Sequence, residues 1–173
     1  MMRWPTMPIG LSVLLASCVV GRRSTAGDEP ARSLRSCAPP TVRTAWAWKT
    51  ASLDGATTEI PVPFVERLDV NPRRRAWEYG PRSITLTLTT DPHTERSVPN
   101  FTGRCELTLG ERSVEVVSST NSDNDRLLTA RVPNVEGGYD LIVEIATRYP
   151  QEVSDLRRVI TSVTVSDSAR TTP

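Results

Sequence analysis

Ser83-Ile84-Thr85-Leu86-Thr87-Leu88-Thr89 is the stretch that decides the fold class. Its strict alternation places Ile84, Leu86 and Leu88 on one face of an extended segment and the threonines on the other, the pattern of a strand with one buried and one wet side. Downstream the pattern repeats. Cys105, Leu107 and Leu109 alternate with Glu106 and Thr108, Gly110-Glu111 offers a turn, and Val114 and Val116 continue on a return strand, which predicts a hairpin. Asn121 to Asp125 form a polar turn before a strand from Leu127 to Val132. Glu136-Gly137-Gly138 marks another turn before Tyr139, Leu141, Val143 and Ile145, all on one face. Together these segments predict an antiparallel meander.

The period changes after Pro150. Val153, Leu156, Val159 and Ile160 recur at helical spacing, Pro150 suits a first helical position, and Arg157 and Arg158 suit the negative end of the helix dipole. A helix of about three turns should therefore lie across the sheet. Thr161 to Ser166 then alternates around Val163 and Val165 as a closing strand, and 167–173 is a polar tail expected to be disordered. The fold class expected is α+β: an antiparallel sheet with a C-terminal helix packed on it.

Composition narrows the function classes. Twenty-one basic against twenty acidic side chains give a net charge of +1, and Lys49 is the only lysine. No basic balance argues for nucleic acid or for an anionic membrane surface. Three cysteines are present, Cys18, Cys37 and Cys105. Cys18 closes the quartet Leu15-Ala16-Ser17-Cys18 after an apolar run that begins at Ile9, with Arg3 ahead of it. These are the parts of an export signal. The run is interrupted by Pro5 and Pro8 before it and by Arg22-Arg23 after it, too short for the roughly 20 apolar residues of a spanning helix.

The quartet resembles the lipobox of bacterial lipoproteins. That resemblance implies a signal peptide over 1–17, cleavage before Cys18, and acyl chains on Cys18 that anchor the chain to a bilayer. It also implies a place in the cell envelope, periplasmic or surface facing, and at the outer membrane if the host is Gram-negative, because Val19 rather than Asp follows the cysteine. With Cys18 acylated, Cys37 and Cys105 remain as a pair in an oxidising compartment, where a disulfide is expected. Closing a loop of that length restricts the unfolded chain by about 4 kcal/mol in the chain-entropy model. Residues 18–40 are rich in Arg, Ser, Ala and Pro and read as a flexible tether, with a single domain over 41–166 beyond it.

Gly55 to Phe64 (GATTEIPVPF), Leu109 to Ser119 (LGERSVEVVSS) and Asp155 to Val165 (DLRRVITSVTV) together resemble small exported proteins of the PsbP-like fold. The first matches their glycine, short strand and Leu-Pro entry, with Ile60-Pro61 in place of Leu-Pro. The second is similar to their hairpin, and the third to their last helix running into a strand at Ser162. The resemblance implies an antiparallel sheet flanked by helices and no single activity. The alternative is an immunoglobulin-like β-sandwich, in which Cys37 and Cys105 bridge the sheets, Trp77 packs between them and the segment after Pro150 is a loop.

Catalytic signatures are sparse. The chain has no G-x-S-x-G, no H-E-x-x-H, no P-loop and no dinucleotide glycine motif, and His93 is its single histidine. Asp91, His93 and Glu95 alternate in an extended segment and make a conceivable metal half-site. Pro92 and the neighbouring threonines favour a solvated loop instead, so neither metal nor cofactor is expected. Glu78, Glu106, Glu115 and Glu144 fall on the wet face of strands, and nothing in the sequence selects two of them as an acid and a base. Asn100-Phe101-Thr102 matches a glycosylation acceptor, a reading with little weight in a bacterial host.

Two candidate binding patches remain. Arg73, Arg74 and Arg75 followed by Trp77 and Tyr79 combine guanidinium groups with aromatics, a mixture enriched at interfaces. The competing reading makes Trp77 a core residue beside a basic loop bracketed by Asn71-Pro72 and Gly80-Pro81. Trp46 and Trp48, two apart, share one face of a strand, where they either plug the end of the core or form a platform for a ligand. The function expected is a non-enzymatic, membrane-anchored envelope lipoprotein that binds a protein or polymer partner. The alternative is an envelope hydrolase that works through carboxylates or a metal.

Overall fold

The structure, a computed structural model, describes residues 34–41, 45–91 and 100–166. Alternation produces strands where it was expected. The sequence around Ser83 forms β5 (Arg82–Thr89), the predicted hairpin is β6 (Phe101–Leu109) with β7 (Arg112–Thr120), and β8 (Arg126–Glu136) and β9 (Tyr139–Thr147) complete the meander. Gly137 and Gly138 both have positive φ, 56° and 82°, as a two-residue turn between right-twisting strands requires. With β3 (Val65–Arg67) and β4 (Arg74–Glu78) these strands make a seven-stranded sheet in the order β3-β4-β5-β9-β8-β7-β6, every neighbour antiparallel.

A second, three-stranded sheet was not foreseen. β1 (Trp48–Leu53) pairs with β2 (Ala56–Pro61), and the closing strand β10 (Thr164–Val165) adds to the other side of β2 rather than to the large sheet. Proline falls only at the last position of β2, where a missing N–H costs the ladder least.

Between the sheets lies the helix. Pro150–Glu152 form a turn of 3-10 helix that runs into α1 (Val153–Thr161), nine residues, so the helix proper is shorter than three turns. Leu156, Val159 and Ile160 are fully buried and join Ile60, Phe64, Ile84, Leu86, Val116, Leu141 and Val143 in one core. Each such side chain contributes about 1.5–3 kcal/mol by leaving water. The end of α1 is tied to β2. Carbonyl groups of a last helical turn lack helical partners, and here the Val159 carbonyl accepts from the hydroxyls of Thr58 and Ser162, while Ser162 Oγ accepts from the Glu59 N–H at 2.9 Å.

The architecture is thus mostly antiparallel β with one short helix, more sheet-dominated than the α+β class first expected. The immunoglobulin-like alternative is corrected. One sheet contains the whole meander, the segment after Pro150 is helical, Cys37 and Cys105 join at β6 of one sheet rather than bridging two, and Trp77, on β4, lines a cleft with residues of the small sheet.

The expected boundary between tether and domain also moves. Residues 34–40, assigned by composition to the tether, are hydrogen-bonded to the fold at several points. Ser36 forms a parallel bridge to Glu106, the Cys37 N–H donates to the Glu106 carbonyl at 2.8 Å, and the Glu106 N–H donates to the Arg35 carbonyl at 2.9 Å. Farther on, Arg157 donates to the Ala38 carbonyl at 2.9 Å and the Thr41 N–H donates to Ser154 Oγ at 2.8 Å. Backbone hydrogen bonds hold a segment that has little apolar surface to bury.

Candidate binding edge

Cys37 and Cys105 are joined in a disulfide, with Cα atoms 4.9 Å apart. The bond sits on β6, one outer strand of the large sheet, and fastens the bridge at Ser36 to it. Cys18, and the Asp91-to-Glu95 metal half-site apart from Asp91 itself, lie outside the described residues, as does the tail 167–173. Among the described residues no cluster of His, Cys, Asp and Glu could hold a metal ion, and no helix is long and apolar enough to cross a membrane.

The arginine run does not act as one patch. Arg73 places its guanidinium 4.4 Å from the centre of the Tyr139 ring. Arg74 turns to Asp69 at 3.4 Å, and Arg75 to Glu66 at 3.4 Å. Adjacent residues of a strand point to opposite faces, so three consecutive guanidinium groups on and before β4 diverge. Trp77 is buried and pairs with Ile84 across β4 and β5, which makes it a core residue. Arg75, two residues earlier, shares its face but stands at the margin of the core.

Trp46 and Trp48 are half-buried members of a row of rings. Trp48 meets Trp46 at 6.3 Å with 65° between planes, Trp46 meets Phe64 at 6.2 Å and 78°, and Phe64 meets Tyr79 at 6.0 Å. The two tryptophan contacts are edge-to-face and the Phe64–Tyr79 contact is tilted at 44°, so the rings pack against one another and present no flat stacking surface. The tryptophans plug the end of the core.

Each end of the row carries an arginine with its own carboxylate. Arg158 lies 4.6 Å from the Trp48 ring and 2.8 Å from Glu59. Arg82 stacks 4.4 Å from the Tyr149 ring and 5.2 Å from Tyr79, and binds both Glu152 oxygens at 2.6 Å. That bidentate bond raises the Arg82 pKa above the ordinary arginine value, outweighing the burial that lowers it. Sequence reading missed this pair, since Arg82 and Glu152 stand 70 residues apart and neither belongs to a periodic pattern.

The four strand carboxylates face away from the core. Glu106 stands opposite Glu115 in the β6–β7 register, the only two of the four in direct cross-strand register, but Glu115 pairs with Arg104 at 3.1 Å and Glu106 accepts from Ser113. Glu78 pairs with Arg67 at 2.7 Å. Partners of opposite charge or a donating hydroxyl explain Glu78, Glu106 and Glu115 as surface pairs, and Glu144 is simply exposed.

What stays open is the other outer strand. β3 ends the large sheet among the described residues, all three of its side chains are exposed, and it leads into fully exposed Leu68 and Val70. Two side-chain-to-backbone hydrogen bonds shape the loop that carries them. Asp69 Oδ1 accepts from the Asn71 N–H and Asn71 Oδ1 from the Arg73 N–H, both at 3.0 Å. Between β3–β4 and β1, itself the outer strand of the small sheet, a cleft of about 240 Å³ is lined by Lys49, Thr50, Ala51, Ser52, Ile60, Glu66, Arg75 and Trp77. Sequence reading named Arg75 and Trp77 as binding candidates and Lys49 as the only lysine, but not Glu66 or the exposed apolar pair.

No protein-family model and no curated protein matches the chain. Among solved structures the chain is similar to the cyanobacterial PsbP (CyanoP) of Synechocystis sp. PCC 6803, with a TM-score of 0.52 at 12% identity over 76% of this chain and 98% of that one. It is also similar to the Ran-binding protein Mog1p of Saccharomyces cerevisiae, with a TM-score of 0.45 at 12% identity over 71% of this chain and 97% of that one. At such identities the first likeness speaks for the fold alone, a weak resemblance to PsbP.

Proposed function

We propose that the chain is a bacterial envelope lipoprotein, held to a membrane by acyl chains on Cys18, whose PsbP-like domain binds a protein or polymer partner and catalyses no reaction. The Cys37–Cys105 disulfide carries this reading. A disulfide suits an exported, oxidising compartment, and it accounts for two of the three cysteines, leaving Cys18 as the single cysteine in the lipobox-like quartet. A PsbP-like domain is itself no guide to activity. The binding role is supported by the exposed edge at β3, where apolar side chains stand in water beside charged ones.

Fractionation of cells expressing the full chain tests the anchor. Wild-type protein is expected in the membrane and labelled by palmitate, and Cys18→Ala is expected in the soluble fraction without label. Membrane retention of a processed Cys18→Ala protein would overturn the anchor. Crosslinking in native membranes tests the binding role, which predicts a saturable partner and fails if none is recovered.

A further inference from the structure

We propose that the Cys37–Cys105 disulfide is a redox latch: its reduction by a dithiol frees residues 35–41, a strap between β6 and α1, while the sheets and the helix stay folded. The strap is the root of the chain that leads back to Cys18. Among the described residues, its release moves the first backbone-bonded residue of the fold from Arg35 to Ala47, whose carbonyl accepts from the Val62 N–H at 2.8 Å. With Cys18 acylated as proposed above, the freed strap lengthens the leash on which the domain stands, whereas the latch itself does not rest on the anchor.

Without the disulfide the strap is weakly held. Hydrogen bonds join Arg35 and Cys37 to Glu106 on β6, and others join Ala38 and Thr41 to Arg157 and Ser154 of α1. The net gain from one such bond is no larger than the entropy lost in fixing one residue of backbone. Of the strap's side chains only Cys37 packs against the core, so apolar burial adds little. Arg157, which donates to Ala38, keeps its Nε buried with no hydrogen-bond partner among the described residues, an orphaned donor that weakens this contact further. The covalent bond keeps the strap's polar groups close to their partners and so makes docking an intramolecular event. The core does not run through the latch. Ile84, Leu86, Val116, Leu141, Val143 and Ile160 are buried without it, and β6 keeps its own ladder to β7 from Gly103 to Leu109.

Both cysteines are half-buried at an outer strand, within reach of an attacking thiolate. One thiolate of the dithiol attacks a sulfur of the pair, the S–S bond breaks, and the displaced cysteine leaves as a thiol. The second thiol of the dithiol then resolves the mixed disulfide. Two electrons and two protons pass to the pair, so Cys37 and Cys105 end as thiols and the dithiol as its own disulfide. Exchange with a disulfide-bearing oxidant runs the same steps backward and closes the latch.

Dithiothreitol is the probe, on the purified full chain, and trypsin is the reporter. Arg35 is exposed, but its carbonyl is held by the Glu106 N–H while the strap is docked. Cleavage after Arg35, read by mass spectrometry, should be about tenfold faster in the reduced protein than in the oxidised one. Over the same interval the chain should stay uncut after Arg131, within β8, and the β8 and β9 amides should stay protected from exchange. Cys37→Ser with Cys105→Ser should be cut after Arg35 at the reduced rate whether or not dithiothreitol is present. Equal cleavage of the oxidised and reduced proteins after Arg35 would overturn the latch. So would cleavage after Arg131 and loss of β8 and β9 protection on reduction, which would make the bond a staple of the whole fold, and so would a disulfide that dithiothreitol reduces only in denaturant. None of these outcomes touches the anchor, which stands or falls on the fractionation of Cys18→Ala.

Discussion

The two outer strands of the large sheet are built on opposite plans. β6 is nine residues long, bridged by Ser36 and fastened to that bridge by the Cys37–Cys105 disulfide. β3 is three residues long, exposed throughout, and flanked by apolar side chains that nothing among the described residues covers. Long outer strands invite unwanted pairing and are commonly blocked, whereas a short charged one escapes it without a cover. The contrast separates an edge that is bridged and cross-linked from one that is short, charged and bare.

Breaking the closed edge should have the largest effect. Replacing Cys37 and Cys105 together by serine frees a loop with a sequence separation of 68 residues, and the stability lost should be about 4 kcal/mol. Urea unfolding of oxidised wild type and the double variant measures it. A loss below about 1 kcal/mol would mean that the backbone bonds of residues 35–37 hold the edge without the disulfide.

The open edge should tolerate the opposite treatment. Leu68→Asp and Val65→Lys alter side chains already in water, and each should shift the unfolding free energy by no more than about 0.5 kcal/mol. Under the binding role proposed above, the same two changes should also weaken crosslinking to a partner in native membranes. A stability loss comparable to that at β6 would show that the β3 margin is covered in the folded protein.

Alternation made the interior of the large sheet legible, because which face a strand buries is a local property of its sequence. Ser83 to Thr89 falls within β5, and Leu127 to Val132 within β8. Pairing is not local. Thr164 meets Thr57 across a separation of more than a hundred residues, so the departure of β10 into a second sheet with β1 and β2 had no sign in the period of either segment. β3 was silent for another reason: Val65-Glu66-Arg67 is too short to show a period, and its place follows from the register Glu66 opposite Trp77.

The candidate patches failed or held on the same ground. Arg73, Arg74 and Arg75 are adjacent in sequence, yet their guanidinium groups reach Tyr139, Asp69 and Glu66. Trp46 and Trp48 do share a cluster, as their spacing suggests, but Phe64 and Tyr79, which complete it, come from other segments. Composition assigned residues 34–40 to the tether, because it does not report the backbone bonds that tie Arg35 and Cys37 to Glu106.

Residue-resolved hydrogen exchange on the oxidised full chain tests the contrast between the edges most directly. β6 amides should be protected on the scale of β7 and β8, and β3 amides should exchange far faster. Reduction of the disulfide should bring β6 toward the rate of β3 and leave β3 unchanged. Equal protection of β3 and β6 in the oxidised protein, or no response of β6 to reduction, would contradict the account.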